Sequence, residues 1–373
     1  MNLIETFNQS SYHFYFLVVD KFLDIDFPQL KNFEKIYISD YSSITVKNSG
    51  NLLSHPKVIE YISNNIQKDN LTPVIVSFKP SAKVELVCKK FNWVNANNPH
   101  QLNRFLEDKI EFIQLCQKNN ISTIPTTIDI FDQKNFLKYQ QTFGQKMVIQ
   151  SHFGWAGKST FSASTWDDIK DKIPQKSLVK FSPFITGYSL LNNCCLTSNG
   201  LIQSPPALQY TGLPLFTHNP FATVGRQWPS LAPPEILEKI KNITQKFSDI
   251  IKTLNYRGFF GLDFLIHDDE VFLLECNPRL TASFAFYNQI EIQQNLNPLF
   301  LFHLAQFINL EFKFDLESEQ KRFYNYNLIG SEITVKNEDS QTIKKYHDFT
   351  IFSDQINPII IPQKIINLLN ETK

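Results

Sequence analysis

Apolar and polar residues alternate in short blocks over the first hundred positions. The apolar run from Tyr12 to Val19 is β-rich from Phe14, ends at Asp20 and reads as a strand. Lys35 to Ser39 and Pro73 to Ser77 are two further strand-like runs, with helix-like stretches around Pro56 to Gln67 and Ser81 to Lys90. This alternation predicts a small, open α/β sheet of parallel strands. No GxGxxG stands at its first turn, so a dinucleotide site is not indicated there. Asn97-Asn98-Pro99-His100 is rich in turn formers and marks a boundary. Beyond it, apolar residues at Leu102, Phe105, Leu106, Ile110, Ile113 and Leu115 predict a single helix over 101–118. Ile121 to Pro125 and a helix near Gln133 to Tyr139 come next.

From Lys146 the texture turns to strands and hairpins: Met147 to Gln150, Thr160 to Ala163, Leu178 to Phe181 and Tyr188 to Leu196. A long helix is expected over Pro234 to Leu254. Two strands follow, Gly258 to Ile266 and Val271 to Glu275, joined by a tight turn at Asp268-Asp269. Asn297 to Leu310 reads as helical. The tail from Glu311 is mixed and ends in a helix-like stretch, Pro362 to Leu369.

Composition changes this picture only at the margins. A chain of 373 residues, 42% hydrophobic and 19% charged, has ample material for a core and is not a disordered one. The 34 phenylalanines read as core filler, because Lys+Arg equals Asp+Glu and the net charge is zero. That balance lacks the overall electrostatic footprint of a nucleic-acid binder. No apolar run is long enough to span a bilayer, and the first residues carry no basic leader region. The five cysteines form neither a disulfide framework nor a zinc pattern. A cytoplasmic protein is therefore expected.

The strongest chemistry lies in Gly261-Leu262-Asp263-Phe264 and Leu274-Glu275-Cys276-Asn277-Pro278-Arg279. On a hairpin turning at 268–269, Asp263 and Glu275 come nearly opposite each other, and Asn277 shares the face of Glu275. Two carboxylates and an amide carbonyl form a hard oxygen set of the kind magnesium takes, completed by phosphate oxygens and water. Two carboxylates that close repel unless a cation sits between them. Glu275 stands in an almost continuous apolar run, an unlike place for a solvated surface carboxylate. Arg279 follows on the same face, with a planar fork suited to phosphate or carboxylate.

A second motif is His152-Phe153-Gly154-Trp155-Ala156-Gly157-Lys158-Ser159-Thr160. A P-loop would need glycine where His152 stands, and a helix where Thr160 to Ala163 favours a strand. The alternative is a hairpin loop that covers phosphates with backbone N–H groups.

An acidic residue twelve positions before E-x-N-P-R, on paired strands, resembles the metal-binding end of the ATP-grasp superfamily. That superfamily includes carboxylate–amine ligases and biotin carboxylase-like proteins. The resemblance covers roughly residues 105 to 310. It implies magnesium, or manganese, held by Asp263, Glu275 and Asn277, and ATP under the glycine-rich loop of Gly154, Gly157 and Lys158. The strand before that loop usually ends in a lysine; Gln150 stands there instead. Lys180-Phe181-Ser182-Pro183-Phe184 is similar to the linker whose backbone meets adenine, with its usual acids absent. Lys109 matches a lysine near the nucleotide, while Gln209 and Arg226 fall near the reacting centre. Arg279 and Arg226 are the implied catalytic residues, and Lys109, Gln150, Lys180, Phe181 and Phe184 complete the implied ATP contacts. His218 reads as solvated and His303 as a core histidine.

The expected fold class is α/β, with α+β character in the ATP-grasp part. An N-terminal α/β domain would occupy 1–105 and the ATP-grasp domain 106–310, with its lid at about 120–185 and its core at about 186–310. A C-terminal extension would cover 311–373. The implied activity is activation of a small-molecule or peptide carboxylate as an acylphosphate for attack by an amine, in a soluble enzyme compatible with a homodimer. The rival reading is a non-catalytic ATP-binding or scaffolding protein on the same fold, motivated by Gln150 and the missing linker acids.

Overall fold

The computed structural model describes residues 3–154, 157–308, 310 and 313–334. The helix-like stretch expected at Pro362 to Leu369 lies outside them. Strands β1 (Tyr12–Val18), β2 (Phe33–Tyr37), β3 (Thr72–Ser77) and β4 (Val94–Asn95) form a parallel sheet in the order β2-β1-β3-β4. Helices Pro56–Asp69 and Ala82–Phe91 supply the crossovers. Each ends on an asparagine in the left-handed region, Asn70 and Asn92, a residue that tolerates positive φ at a helix C-terminus. The strand–helix alternation of the sequence is thus realised as a parallel sheet.

Strands β5 (Thr127–Ile130), β6 (Met147–Gln150), β7 (Thr160–Ala163) and β8 (Leu178–Pro183) form a second, antiparallel sheet in the order β5-β8-β6-β7. Helix Gln133–Phe143 packs on it through Phe136 and Tyr139, against Phe131, Met147, Ile149 and Phe181.

The third sheet contains β9 (Tyr188–Leu196), β10 (Leu201–Gln203), β11 (Ala207–Thr211), β12 (Thr223–Trp228), β13 (Gly258–His267), β14 (Glu270–Asn277) and β15 (Gly330–Ile333). Their order is β14-β13-β9-β11-β12-β15, with β10 paired to β9. Even-numbered residues of β13 (Phe260, Leu262, Phe264, Ile266) face helix Pro234–Thr253. Odd-numbered positions face the other way, where Phe259 joins Leu191 and Cys195 under the helices Phe284–Gln293 and Leu299–Ala305. The N-terminal sheet closes that second layer. Phe16 meets Phe284 and Phe300 at ring-centroid distances of 5.9 and 6.2 Å. The phenylalanine excess therefore welds the parallel sheet to the large antiparallel one.

Two sequence expectations change in the structure. The helix expected over 101–118 is two helices, His100–Glu107 and Lys109–Lys118. Asp108 breaks it by turning extended, and its carboxylate accepts from the N–H groups of Ile110 and Glu111 at 2.9 and 3.3 Å. A short acidic side chain competes with the helix ladder and prefers this capping position. The helix expected over Asn297 to Leu310 is shorter, Leu299–Ala305, and starts after Pro298. His303 on that helix is a satisfied core histidine. Its Nδ1 accepts from the Phe259 N–H at 3.0 Å, and its Nε2–H donates to the Ala96 carbonyl at 3.0 Å. No helix among the described residues is long and apolar enough to cross a membrane.

Candidate active site

The β13–β14 hairpin puts Asp263 in direct register with Glu275, but the next pair is Phe264 with Leu273. Leu274 is an extra residue, a β-bulge. Bulges re-aim side chains, and this one decides the chemistry. Val271 and Leu273 face the long helix. Strict alternation would send Glu275 into the same apolar layer. The inserted residue turns Glu275 and Asn277 to the side of Asp263 instead, facing an open cleft. The Glu275 side chain is 38% accessible there.

Asp263 accepts from Gln209 Nε2 at 2.7 Å and from Asn277 Nδ2 at 2.9 Å. Burial, and then the charge of Glu275, push its carboxyl up to about 7. Burial opposes charge on Glu275 as well. There the neighbouring Lys109 ammonium, which donates to Oε2, acts with Asp263 and Arg279 to hold the carboxyl below the usual range. Lys109 reaches Glu275 because the Asp108 break makes it the first residue of its helix, where its side chain is buried (6% residue exposure).

Lys180 on β8 is buried to the same degree, and among the described residues no carboxylate lies within ion-pair reach of it. Burial, then Lys109, lower its ammonium to about 8, with Glu275 pulling the other way. Gln150 is its register partner across β6 and β8, and the Gln150 amide donates to Thr160 Oγ1 at 2.9 Å. The uncharged residue of β6 is therefore paired with a cation.

Arg279 donates from Nε to Glu107 at 2.8 Å, from Nη2 to Asn277 Oδ1 at 2.9 Å and from Nη1 to the Leu280 carbonyl at 3.0 Å. Its guanidinium lies 4.9 Å from the Phe78 ring centroid. Glu107 also pairs with Lys79, so residues just past β3 of the parallel sheet reach the cleft. Arg226 on β12 faces Gln209 on β11 and Glu332 on β15, and its Nη1 bonds Glu332 at 2.7 Å. A polar stripe thus runs across the sheet from Glu275 and Asp263 through Gln209 and Arg226 to Glu332.

The glycine-rich loop crosses from β6 to β7, with Trp155 and Ala156 outside the described residues. Gly157 has φ +75°, and a Cβ on it would fall within 2.8 Å of the Phe221 backbone. A larger residue would lift the loop off the core loop beneath it. Gly154 lies over Ser159, and Lys158 follows Gly157 at the rim of a 260 Å³ cavity shared with Asn219 and Phe221. Phe181 is the middle of β8, in register with Ile149 and Thr127, its ring buried in the lid. Phe184 donates its N–H to the Lys146 carbonyl at 3.1 Å, with Lys146 3.8 Å from its ring centroid.

The structure gathers Asp263, Glu275, Asn277 and Arg226 on the large sheet with Lys109 and Arg279 beside them, and Lys180 faces Lys109 from the strand β8. Phe181 and Phe184 lie farther along the lid strand. Sequence reasoning missed Glu107, Asp108, His152 and Glu332. The signal for the first two was present, an acidic pair directly before Lys109, but the apolar period read straight through it. Among the described residues no three His, Cys, Asp or Glu side chains form a metal cluster. The candidate donors are the Asp263 and Glu275 carboxylates; the Asn277 amide beside them donates from Nδ2 to Asp263 and accepts at Oδ1 from Arg279, so its oxygen would join them only if the amide turned over. Two hard carboxylate groups side by side, one raised by burial and then by its neighbour's charge, fit a divalent magnesium ion.

A family model described as "ATP-grasp domain" matches residues 106–283. The arginine-specific large chain of carbamoyl phosphate synthase from Halalkalibacterium halodurans is 22% identical over 272 residues, covering 69% of this chain. The chain spans about a quarter (25%) of that relative's length. Carboxyaminoimidazole ribonucleotide synthase from Aspergillus clavatus, solved with ATP, superimposes with a TM-score of 0.57 at 12% identity, over 81% of this chain and 78% of that one. Biotin carboxylase from Campylobacter jejuni gives 0.57 at 12%, over 88% and 71%. Phosphoribosylamine–glycine ligase from Thermotoga maritima gives 0.52 at 16%, over 77% and 76%. These structural likenesses are matches of fold. They agree with the matched family model, which identifies an ATP-grasp domain over residues 106–283.

Proposed function

We propose that this protein is a magnesium- and ATP-dependent ligase that activates a carboxylate as an acylphosphate for attack by an amine. One observation carries the reading: the bulge sets Asp263 against Glu275 on an open face where Lys109 and Lys180 also converge. Paired carboxylates beside buried ammonium groups suit a metal–triphosphate complex, because Asp263 stands beside the like charge of Glu275 and Lys180 beside that of Lys109, and a bound cation and anion would offset them. Asp263, Glu275 and Asn277 would hold magnesium, which supplies charge neutralisation for phosphoryl transfer when bound. Lys109, Lys180 and the loop residues Gly154, Gly157 and Lys158 would hold the phosphates, with Gln150 contributing an uncharged donor. The backbone from Phe181 to Phe184 would face the adenine. The neighbours solved with ADP or ATP support nucleotide binding in this fold.

The γ-phosphoryl group would pass to a carboxylate oxygen of the acid, releasing ADP. The amine would then add to the acyl carbon and expel phosphate, giving an amide. Arg279 and Arg226 are the groups placed to orient the acid and stabilise the oxyanions. Acylphosphates hydrolyse readily, so the lid must exclude water. The division at 1–105, 106–310 and 311–373 would give the N-terminal domain, through Phe78 and Lys79, a part in choosing a small-molecule or peptide acid. A soluble cytoplasmic setting suits such substrates.

Calorimetric titration with Mg-ATP tests the reading, with Glu275→Gln as the comparison. The parent should bind only with magnesium present, and the variant should lose that dependence. Supplied with its acid and amine, the parent should release ADP, and Asp263→Asn should abolish the release. Absence of nucleotide binding by the parent at any magnesium concentration would sink the ligase reading in favour of a scaffold.

A further inference from the structure

His152 stands at the root of the glycine-rich loop, and none of the roles above uses it. Its Nδ1 lies 2.8 and 3.0 Å from the two carboxylate oxygens of Asp108. A carboxylate only accepts, so Nδ1 carries the proton and donates it. Asp108 is already fixed, because Oδ1, the farther of its two oxygens from His152, also caps the helix at Ile110 and Glu111. The His152 carbonyl accepts from the Lys109 N–H at 2.9 Å. The next residue adds a third tie: the Phe153 ring lies 4.5 Å from the Arg104 guanidinium. The loop root is thus fastened on both sides of the Asp108 break, to the helix before it and to the first residue after it. That first residue is Lys109, the group that meets Glu275.

We propose that His152 is a positioning residue, which clamps the glycine-rich loop to the turn presenting Lys109, so that loop placement and the Lys109–Glu275 contact are set together. The inference rests on the nucleotide site proposed above. It extends that reading by naming what holds the loop down and by making the clamp part of nucleotide affinity. A loop whose backbone N–H groups must meet phosphates gains affinity from being held in the binding geometry beforehand. Losing the clamp should therefore show mainly in the dissociation rate, as most affinity changes within one site do. The side chain of His152 is 40% accessible and outside the hydrophobic cores, so its replacement should leave the global fold intact.

Two measurements on the full chain test this. In nucleotide-free protein, amide hydrogen exchange should be at least tenfold faster at Lys109 and across the loop root in His152→Ala. Exchange in the large sheet should stay unchanged. In stopped-flow with Mg-ATP, the same variant should release nucleotide about tenfold faster, with an unchanged melting temperature. His152→Asn, whose amide can still donate to Asp108, should recover most of both effects. Unchanged exchange at Lys109 in His152→Ala would overturn the clamp, whether or not ATP binds. Faster exchange with an unchanged Mg-ATP dissociation rate would overturn its role in affinity. A parent that binds no Mg-ATP would sink the ligase reading and the affinity role together, while the exchange result would still report on the clamp itself.

Discussion

Burying an ammonium near another ammonium disfavours the charged form, and Lys180 is in that position near Lys109. Such a residue costs stability and is useful only if an anion arrives. Lys180→Met should therefore raise stability by roughly 1–3 kcal/mol while weakening Mg-ATP binding at least tenfold. Urea unfolding and calorimetry on the same preparation check both halves. A variant that lost stability as well as affinity would show that Lys180 supports the fold instead. The contrast with Lys109 is instructive. Lys109 already has Glu275, so Lys109→Met should leave a carboxylate pair with less counter-charge, lowering the magnesium concentration that occupies it while weakening nucleotide binding.

At the scale of elements, one histidine hydrogen-bonds across the junction of the parallel sheet with the large sheet. His303 bridges the Ala96 carbonyl and the Phe259 N–H, and burial lowers its pKa to about 4 from an ordinary 6.5. The neutral ring is the form both partners require. Its contribution is complete above pH 6.5, because neither state then holds the proton. It is lost as pH falls from 6.5 towards 4, where the unfolded chain takes up a proton that the folded chain refuses. The loss should approach about 3 kcal/mol. Urea melts from pH 7.5 to 4 should show this slope, and His303→Gln should flatten it. Gly258, with φ +83°, is part of the same device: a Cβ there would sit 2.5 Å from His303 Nδ1. The Asp108 cap is the second element-scale test. Asp108→Ala should cost about 1 kcal/mol through the lost cap, and should also disturb Lys109.

At the scale of the molecule, the described residues from 313 to 334 are built into the body. Arg322 is fully buried against Glu291, Nη1 to Oε1 at 2.7 Å, and also bonds Glu319 and the Asn297 carbonyl. Burial pushes the Glu291 carboxyl up while Arg322 pulls it down. Removing only the cation leaves a buried carboxyl without its partner, so Arg322→Ala should destabilise by about 3 kcal/mol. The double variant Arg322→Met with Glu291→Gln should recover much of that. Equal losses in both variants would mean that packing, and not charge, ties the segment down. Because β15 follows Arg322 directly and carries Glu332 to Arg226, loosening this anchor should also weaken the far end of the polar stripe.

Local patterns in the chain set the parallel sheet, the Gly258–His267 and Glu270–Asn277 hairpin, and the long helix from Pro234. Each rests on short-range preferences: strand and helix periods, turn residues and a tight two-residue connection. The carboxylate pair was legible for the same reason, since both members lie on one hairpin. The remainder was decided by contacts between residues far apart in sequence. A bulge at Leu274 leaves no mark in an apolar run, yet it chooses the face that Glu275 takes. The helix break at Asp108 hides in a continuous apolar period, because the preference of aspartate for a cap outweighs a pattern that both helices share. Glu332 reaches Arg226 only when β15 adds to the sheet edge, across 106 residues of chain. His152 meets Asp108 only when lid and core fold together. Periodicity reports which face is buried. It carries no information on which distant charge will stand opposite, and most of the cleft was settled at that level.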